Sequence, residues 1–321
     1  MILVVRYNQH IPDEFMNYIK LQTYNKKLIH FFVNKRHIYI HLFTHKKVSK
    51  IDIEYIIRII SFISTFAKSN CSTRLDIYIF DTPFKKEITT FDKEVSRTNI
   101  NSAYTFACSA NNYIYIYRNE EWKKTLIHEC IHAFGVDFAN IEFDNSNSIN
   151  KKIDSIFHLG INYRMNEAYC ETIAVLINII HLFSNQNKEN DIIPFVETRL
   201  VHETIHSLIQ SNKLLKHSSL SMRNLLFGKD NTNYAESTSA FSYYFIKSLF
   251  LYNFNSFLSV TQSINNYSLK SKFNNKNIDK YINLIDKTVQ TGNFKRDMKL
   301  AEKLITQCPL LNKSMKFSFY G

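Results

Sequence analysis

The chain has 321 residues and a formal net charge of +12, from 40 Lys and Arg against 28 Asp and Glu. Its 45% hydrophobic and 14% aromatic content is enough for a sizeable core and excludes a disordered chain. Only 5 Gly and 4 Pro exclude collagen-like and Pro-rich architectures, and neither GxGxxG nor GxxxxGK(S/T) occurs to cradle a phosphate.

In chain order, Met1–Tyr7 reads as a strand whose apolar run stops at Arg6, too short for a signal peptide. His37–Phe43 and Leu75–Phe80 alternate at period two, as half-buried strands do. Between them, Ile51–Lys68 has helical spacing, with Ser49 and Asp52 placed for a capping box. Asn112–Arg118 alternates again, tyrosines to one side and isoleucines to the other. From residue 119 the pattern turns helical. Glu120–Phe134 predicts a helix stopped near Gly135, residues 139–158 a polar surface loop, and Met165–Phe183 a strong helix. Helices are expected over 194–215, 234–256, 276–288 and 294–307, with a polar turn at Gly228–Asn233. The economical fold is a single α+β domain over 1–321: a β-rich part (1–118), then a helical part (119–321) that carries the chemistry.

No stretch of 18 or more apolar residues is free of charge, so no membrane span is expected. Residues 240–260 contain Lys247, Asn253 and Asn255 and read as a buried helix. The five cysteines (71, 108, 130, 170 and 308) form no CxxC pair, which fits a reducing, intracellular and cytoplasmic setting. Abundant Lys, Asn and Ile with scarce Gly and Pro is what an AT-rich genome encodes, so part of the positive charge follows codon usage.

The sharpest motif is His128-Glu129-Cys130-Ile131-His132. Four residues turn about 400° on a helix, so both imidazoles face one way and can share a metal ion. Zn²⁺ accepts imidazole nitrogen and keeps a position for water. Glu129, next to the first ligand, is placed to take that water's proton as general base. A two-histidine site needs a third protein ligand, and the helix Arg164-Met-Asn-Glu167-Ala-Tyr-Cys-Glu171 offers one in Glu167. Glu171, one turn on, is placed to orient a ligating histidine through its free nitrogen. The bland alternative is a solvated acidic stripe, against which the apolar continuation of that helix argues.

Two other groupings compete. His202-Glu203-Thr204-Ile205-His206 is a second HExxH, with Glu236 as a third ligand, and ranks lower because no Asn-Glu-x-x-x-Glu helix follows it. It is read either as coincidental spacing or as a helix over the same cleft. In that case His202, His206, Tyr243 or Tyr244 is a candidate to stabilise an oxyanion. The segment from His128 to Phe138 resembles the metzincin pattern HExxHxxGxxH, but Phe138 holds the last ligand position and Asp137 is one residue short. Gly135 then reads as a helix C-terminal residue. Cys130 points away from the histidine pair, whereas Cys170 stays open as a soft ligand.

On these residues the chain resembles the gluzincin branch of zinc metallopeptidases over about 100–185: strand, HExxH helix, downstream NExxxE helix. The stretches 117–138, 165–178 and 238–249 are similar to uncharacterised HExxH proteins of large DNA viruses. The resemblance implies a zincin-like fold and a peptidase-like active site in a viral protein, of host cytoplasm or virion. A polypeptide substrate is the expected partner, and strand addition at Asn112–Arg118 is one way to bind it, an ordinary inner strand being the other. A reading from another class is a basic structural or nucleic-acid-binding virion protein that keeps a zincin fold with little or no catalysis. It would use Lys26–Lys27, Lys46–Lys50 and Lys270–Lys280 to meet nucleic acid or an acidic partner, against a simple solvated face.

Overall fold

The computed structural model describes residues 11–46, 49–89, 93–184, 191–228, 234–266, 272–308 and 314–321. The strand expected at Met1–Tyr7, residues 229–233 of the expected turn, and Lys47 and Lys270 of the basic clusters lie outside them. The chain is mixed α+β, and its described residues fall into two compact units.

The first unit runs to Lys85 and resumes over Asn101–Val136. It opens with α1 (Asp13–Leu21), β1 (Asn25–Val33) and β2 (Arg36–Thr44). Asn34 and Lys35 link the two strands at φ 47° and 63°, the paired positive dihedrals that match a tight hairpin turn to strand twist. Helix α2 (Lys50–Ser64) leads to β3 (Arg74–Phe80), parallel to β2. Ser49 caps α2: its hydroxyl accepts from the Asp52 amide at 3.0 Å and donates to the Asp52 carboxylate at 2.7 Å. The chain leaves for the second unit, where α3 (Arg97–Ile100) lies, and returns as β4 (Ala103–Thr105), β5 (Asn111–Ile116) and α4 (Trp122–Ala133).

The sheet order is β1-β2-β3-β5-β4, parallel in its centre and antiparallel at both edges. Ile38, Ile40, Leu75, Ile77, Ile114 and Ile116 alternate along β2, β3 and β5 and are buried. On the other face His41, Tyr78 and Tyr115 stack across strands at 4.4 and 4.7 Å. Phe15 and Met16 of α1 cluster there with Phe43, Phe80 and Tyr117, each such burial worth about 1.5–3 kcal/mol. β5 lies between β3 and β4, so the Asn112–Arg118 strand is an inner one; Ala103–Thr105 pairs along Ile114–Ile116 and takes the edge.

The second unit holds Lys86–Ile100 and everything from Asp137. The loop expected over 139–158 is helical, forming α5 (Ala139–Asp144) and α6 (Ser146–Phe157). Its Asn and Ser residues hide the reason: Ile149, Ile153 and Phe157 recur every fourth residue and are all buried. Helix α7 (Met165–Ser184) packs against α8 (Ile192–His217). Helix α7 is long and apolar enough to cross a membrane by length and composition alone, and half of its apolar window is buried in the fold. The short α9 (Met222–Phe227) follows. The single helix expected over 234–256 is instead a π-helical turn at Ser242–Ile246, α10 (Lys247–Tyr252) and α11 (Phe254–Ile264). Asn253, at φ −115° and ψ 50°, breaks it. α12 (Asn275–Gln290) and α13 (Gly292–Gln307) complete the helices.

Candidate metal centre

His128, Glu129 and His132 sit on α4, whose residues from Lys124 to Ala133 are all buried. The two imidazole Nε2 atoms face each other at 3.0 Å, with ring centroids 4.7 Å apart. Two nitrogens each about 2.0–2.1 Å from one tetrahedral ion lie roughly 3.3–3.4 Å apart, so a shift of a few tenths of an ångström would let the pair share a metal ion. Glu129 is 7% exposed and follows His128 directly. Cys130 is fully buried, and that burial pushes its thiol far above the ordinary range, which keeps it protonated and unsuited to bind a metal.

The first unit fixes both ends of this helix. Tyr55 donates its hydroxyl to Lys123 O at 2.8 Å near the start. At the other end three carbonyls find donors: His132 O from the Cys108 amide, Ala133 O from the Ser72 hydroxyl and Phe134 O from the Lys68 amide, at 2.7–3.1 Å. Gly135, at φ +64°, closes the helix, with its amide bonded to His132 O and the Val136 amide to Ile131 O, both at 3.0 Å. Gly135 is thus the helix-terminating residue expected from sequence. A disulfide joins Cys71 to Cys108 across 37 residues and ties together the two loops that supply these donors. Cysteine spacing carries no signal for that pairing.

In the second unit, Glu167 is half-buried in the first turn of α7 and Glu171 is buried one turn on. The start of α7 is set by Glu142 of α5, whose carboxylate accepts from the Met165 amide at 2.6 Å and the Asn166 amide at 2.8 Å. Burial pushes the Glu142 carboxyl up to about 8. Sequence reasoning missed this residue because it lies in the segment read as a loop. The Cys170 thiol, left open as a soft ligand, donates to Asp137 Oδ2 at 3.7 Å. Phe138, at the metzincin ligand position, packs between Tyr169, Phe273 and Tyr281 instead.

The second HExxH has other work. Glu203 is 1% exposed and accepts from the Ser318 hydroxyl at 2.6 Å and from the Phe319 and Tyr320 amides at 3.0 and 3.1 Å. His202 Nδ1 meets the Tyr320 hydroxyl, and His206 Nε2 meets Lys316 O at 3.0 Å. Tyr244 donates its hydroxyl to Met315 O at 2.5 Å, and the Tyr243 ring lies 5.0 Å from Phe317. These residues, considered above for oxyanion stabilisation, hold the segment 314–320. Glu236 accepts from the Tyr234 hydroxyl at 2.6 Å and the Phe241 amide at 2.7 Å, at the head of the helical stretch that begins at Ala240.

Burial pushes the Glu236 carboxyl up to about 7. The fold therefore favours its protonated form, and its contribution to stability is lost as pH rises from the ordinary glutamate range through about 7. Thermal melting of Glu236→Gln is expected to vary less than wild type between pH 5 and 8. An unchanged pH profile in the variant would contradict this.

No protein-family model, curated protein or solved structure matches this chain.

Proposed function

We propose that this protein is a zinc-dependent peptidase of zincin-like fold. His128 and His132 hold the ion, Glu167 supplies the third protein ligand, Glu171 orients a ligating imidazole and Glu129 is the general base. The observation that carries this reading is the buried imidazole pair on α4, with Nε2 atoms 3.0 Å apart and a carboxylate at the adjoining residue. A mixed sheet whose last inner strand, β5, runs into that helix is consistent with the fold. The donor set, two imidazoles and a carboxylate, suits zinc in a catalytic site.

When bound, the ion supplies Lewis acidity, polarising a scissile carbonyl and acidifying water. The Glu129 carboxylate takes a proton from the attacking water and passes it to the leaving amine, so one water and one peptide bond give a carboxylate and an amine. The rigid end of α4 keeps His132 from turning away, since three loop donors and Gly135 hold the last carbonyls. With β5 inside the sheet, an extended substrate added as a strand would lie along β4.

Purified wild-type protein is expected to hold about one zinc per chain by elemental analysis, and His128→Ala to hold less than about a tenth of that. Wild-type protein that refolds with zinc supplied and still contains none would remove the basis of the proposal.

A further inference from the structure

The second HExxH helix and its neighbours form a groove around the segment 314–320, which bends at Phe317 and Phe319, and they bind its main chain. Lys213 Nζ donates to Ser314 O at 2.7 Å, and Gln210 Nε2 joins His206 on Lys316 O at 3.0 Å. Lys247 Nζ donates to Phe317 O, and Asn178 Nδ2 donates to Tyr320 O at 3.2 Å. With Tyr244 on Met315 O and Glu203 on two amides, side chains from α7, α8 and the 242–247 stretch address nearly every peptide unit of 314–320. Phe317 is also gripped as a side chain, with the Lys86 ammonium 3.6 Å from its ring centroid and Tyr244 at 5.0 Å.

The side chains of Met315 and Phe317 are buried, at 2% and 5% exposure, and the main chain is fixed as well, by a buried carboxylate and several side-chain donors. The Glu203 carboxylate, 1% exposed, would be costly to bury without the Ser318 hydroxyl and the Phe319 and Tyr320 N–H donors that the segment provides. Among the described residues, a pocket of about 260 Å³ opens beside Phe319, walled by Ile205 and Ile209.

We propose that this groove is a peptide-binding site in its own right. It takes peptides through their main chain, with an aromatic residue at the Phe317 position, and residues 314–320 are its resident ligand in cis. The inference goes beyond the metal centre and does not depend on it.

The test uses the full chain with its resident segment weakened by Phe317→Ala, and a fluorescent synthetic peptide of residues 314–321 as probe. Saturable binding by anisotropy is expected for this variant, at least tenfold tighter than for wild type, where the cis segment competes. Methylating the two peptide nitrogens that correspond to Phe319 and Tyr320 should weaken binding at least tenfold, because Glu203 then loses its donors. Replacing the lysine at the Lys316 position with alanine should change it less than threefold. Adding Glu203→Gln should lower affinity for the unmethylated peptide.

Circular dichroism confirms that the variants are folded. A folded Phe317→Ala chain that binds no probe at millimolar peptide would overturn the proposal, leaving 314–320 as a fixed part of the core. So would binding indifferent to both N-methylation and Glu203→Gln. Zinc content is expected to be unchanged throughout, which separates this result from the fate of the peptidase reading.

Discussion

Glu129→Gln should lower peptide hydrolysis by about 10²–10⁴-fold while zinc content stays at the wild-type level. The substitution keeps the size and polarity of a side chain that is 7% exposed, so α4 should fold as before. It removes the basic oxygen that accepts the proton from water. Loss of hydrolysis with zinc retained assigns Glu129 to chemistry. Loss of both would make it a structural neighbour of the histidine pair, and unchanged hydrolysis would place the base elsewhere. Steady-state hydrolysis of a peptide library beside elemental analysis of the same preparations distinguishes these outcomes.

The largest expected loss of stability falls at Gly135. Its backbone is left-handed at φ +64°, and a Cβ there would meet Cys71 Sγ at 2.8 Å and Cys108 Cβ at 3.2 Å. Gly135→Val should cost about 2–5 kcal/mol, combining left-handed strain with overlap against the disulfide. Gly160 has the same φ but nothing within 4 Å of its Cβ position, so Gly160→Ala should cost only about 1–2 kcal/mol. Denaturant titrations of both variants measure the difference. Equal losses would mean that the approach of α4's end to the disulfide is loose, and the account of a rigid helix end would fail with it.

Local pattern made the histidine pair legible, because four-residue spacing on a helix determines which side chains share a face. Helices α2, α4, α7, α8, α12 and α13 were legible for the same reason, to within a few residues at each end. What stayed hidden depended on distant partners. β1 is an edge strand that exposes Lys26, Lys27 and Leu28, so it lacks the alternation of the inner strands. α5 and α6 were masked by Asn and Ser at their exposed positions, and with them went Glu142, which fixes the start of α7. The disulfide spans 37 residues without a local mark. Two HExxH motifs look alike along the chain. The structure separates them by their surroundings, an imidazole pair facing itself on α4 and a glutamate on α8 whose carboxylate is engaged by the amides of 319 and 320.

The central claim is that His128, His132 and Glu167 hold one zinc ion together. X-ray absorption at the zinc edge reports ligand type directly. The account predicts two imidazole nitrogens at about 2.0–2.1 Å with oxygen completing the shell, one imidazole lost in His132→Ala, and a weaker zinc affinity in Glu167→Gln. A sulfur shell near about 2.3 Å, or a spectrum and affinity untouched by Glu167→Gln, would contradict it.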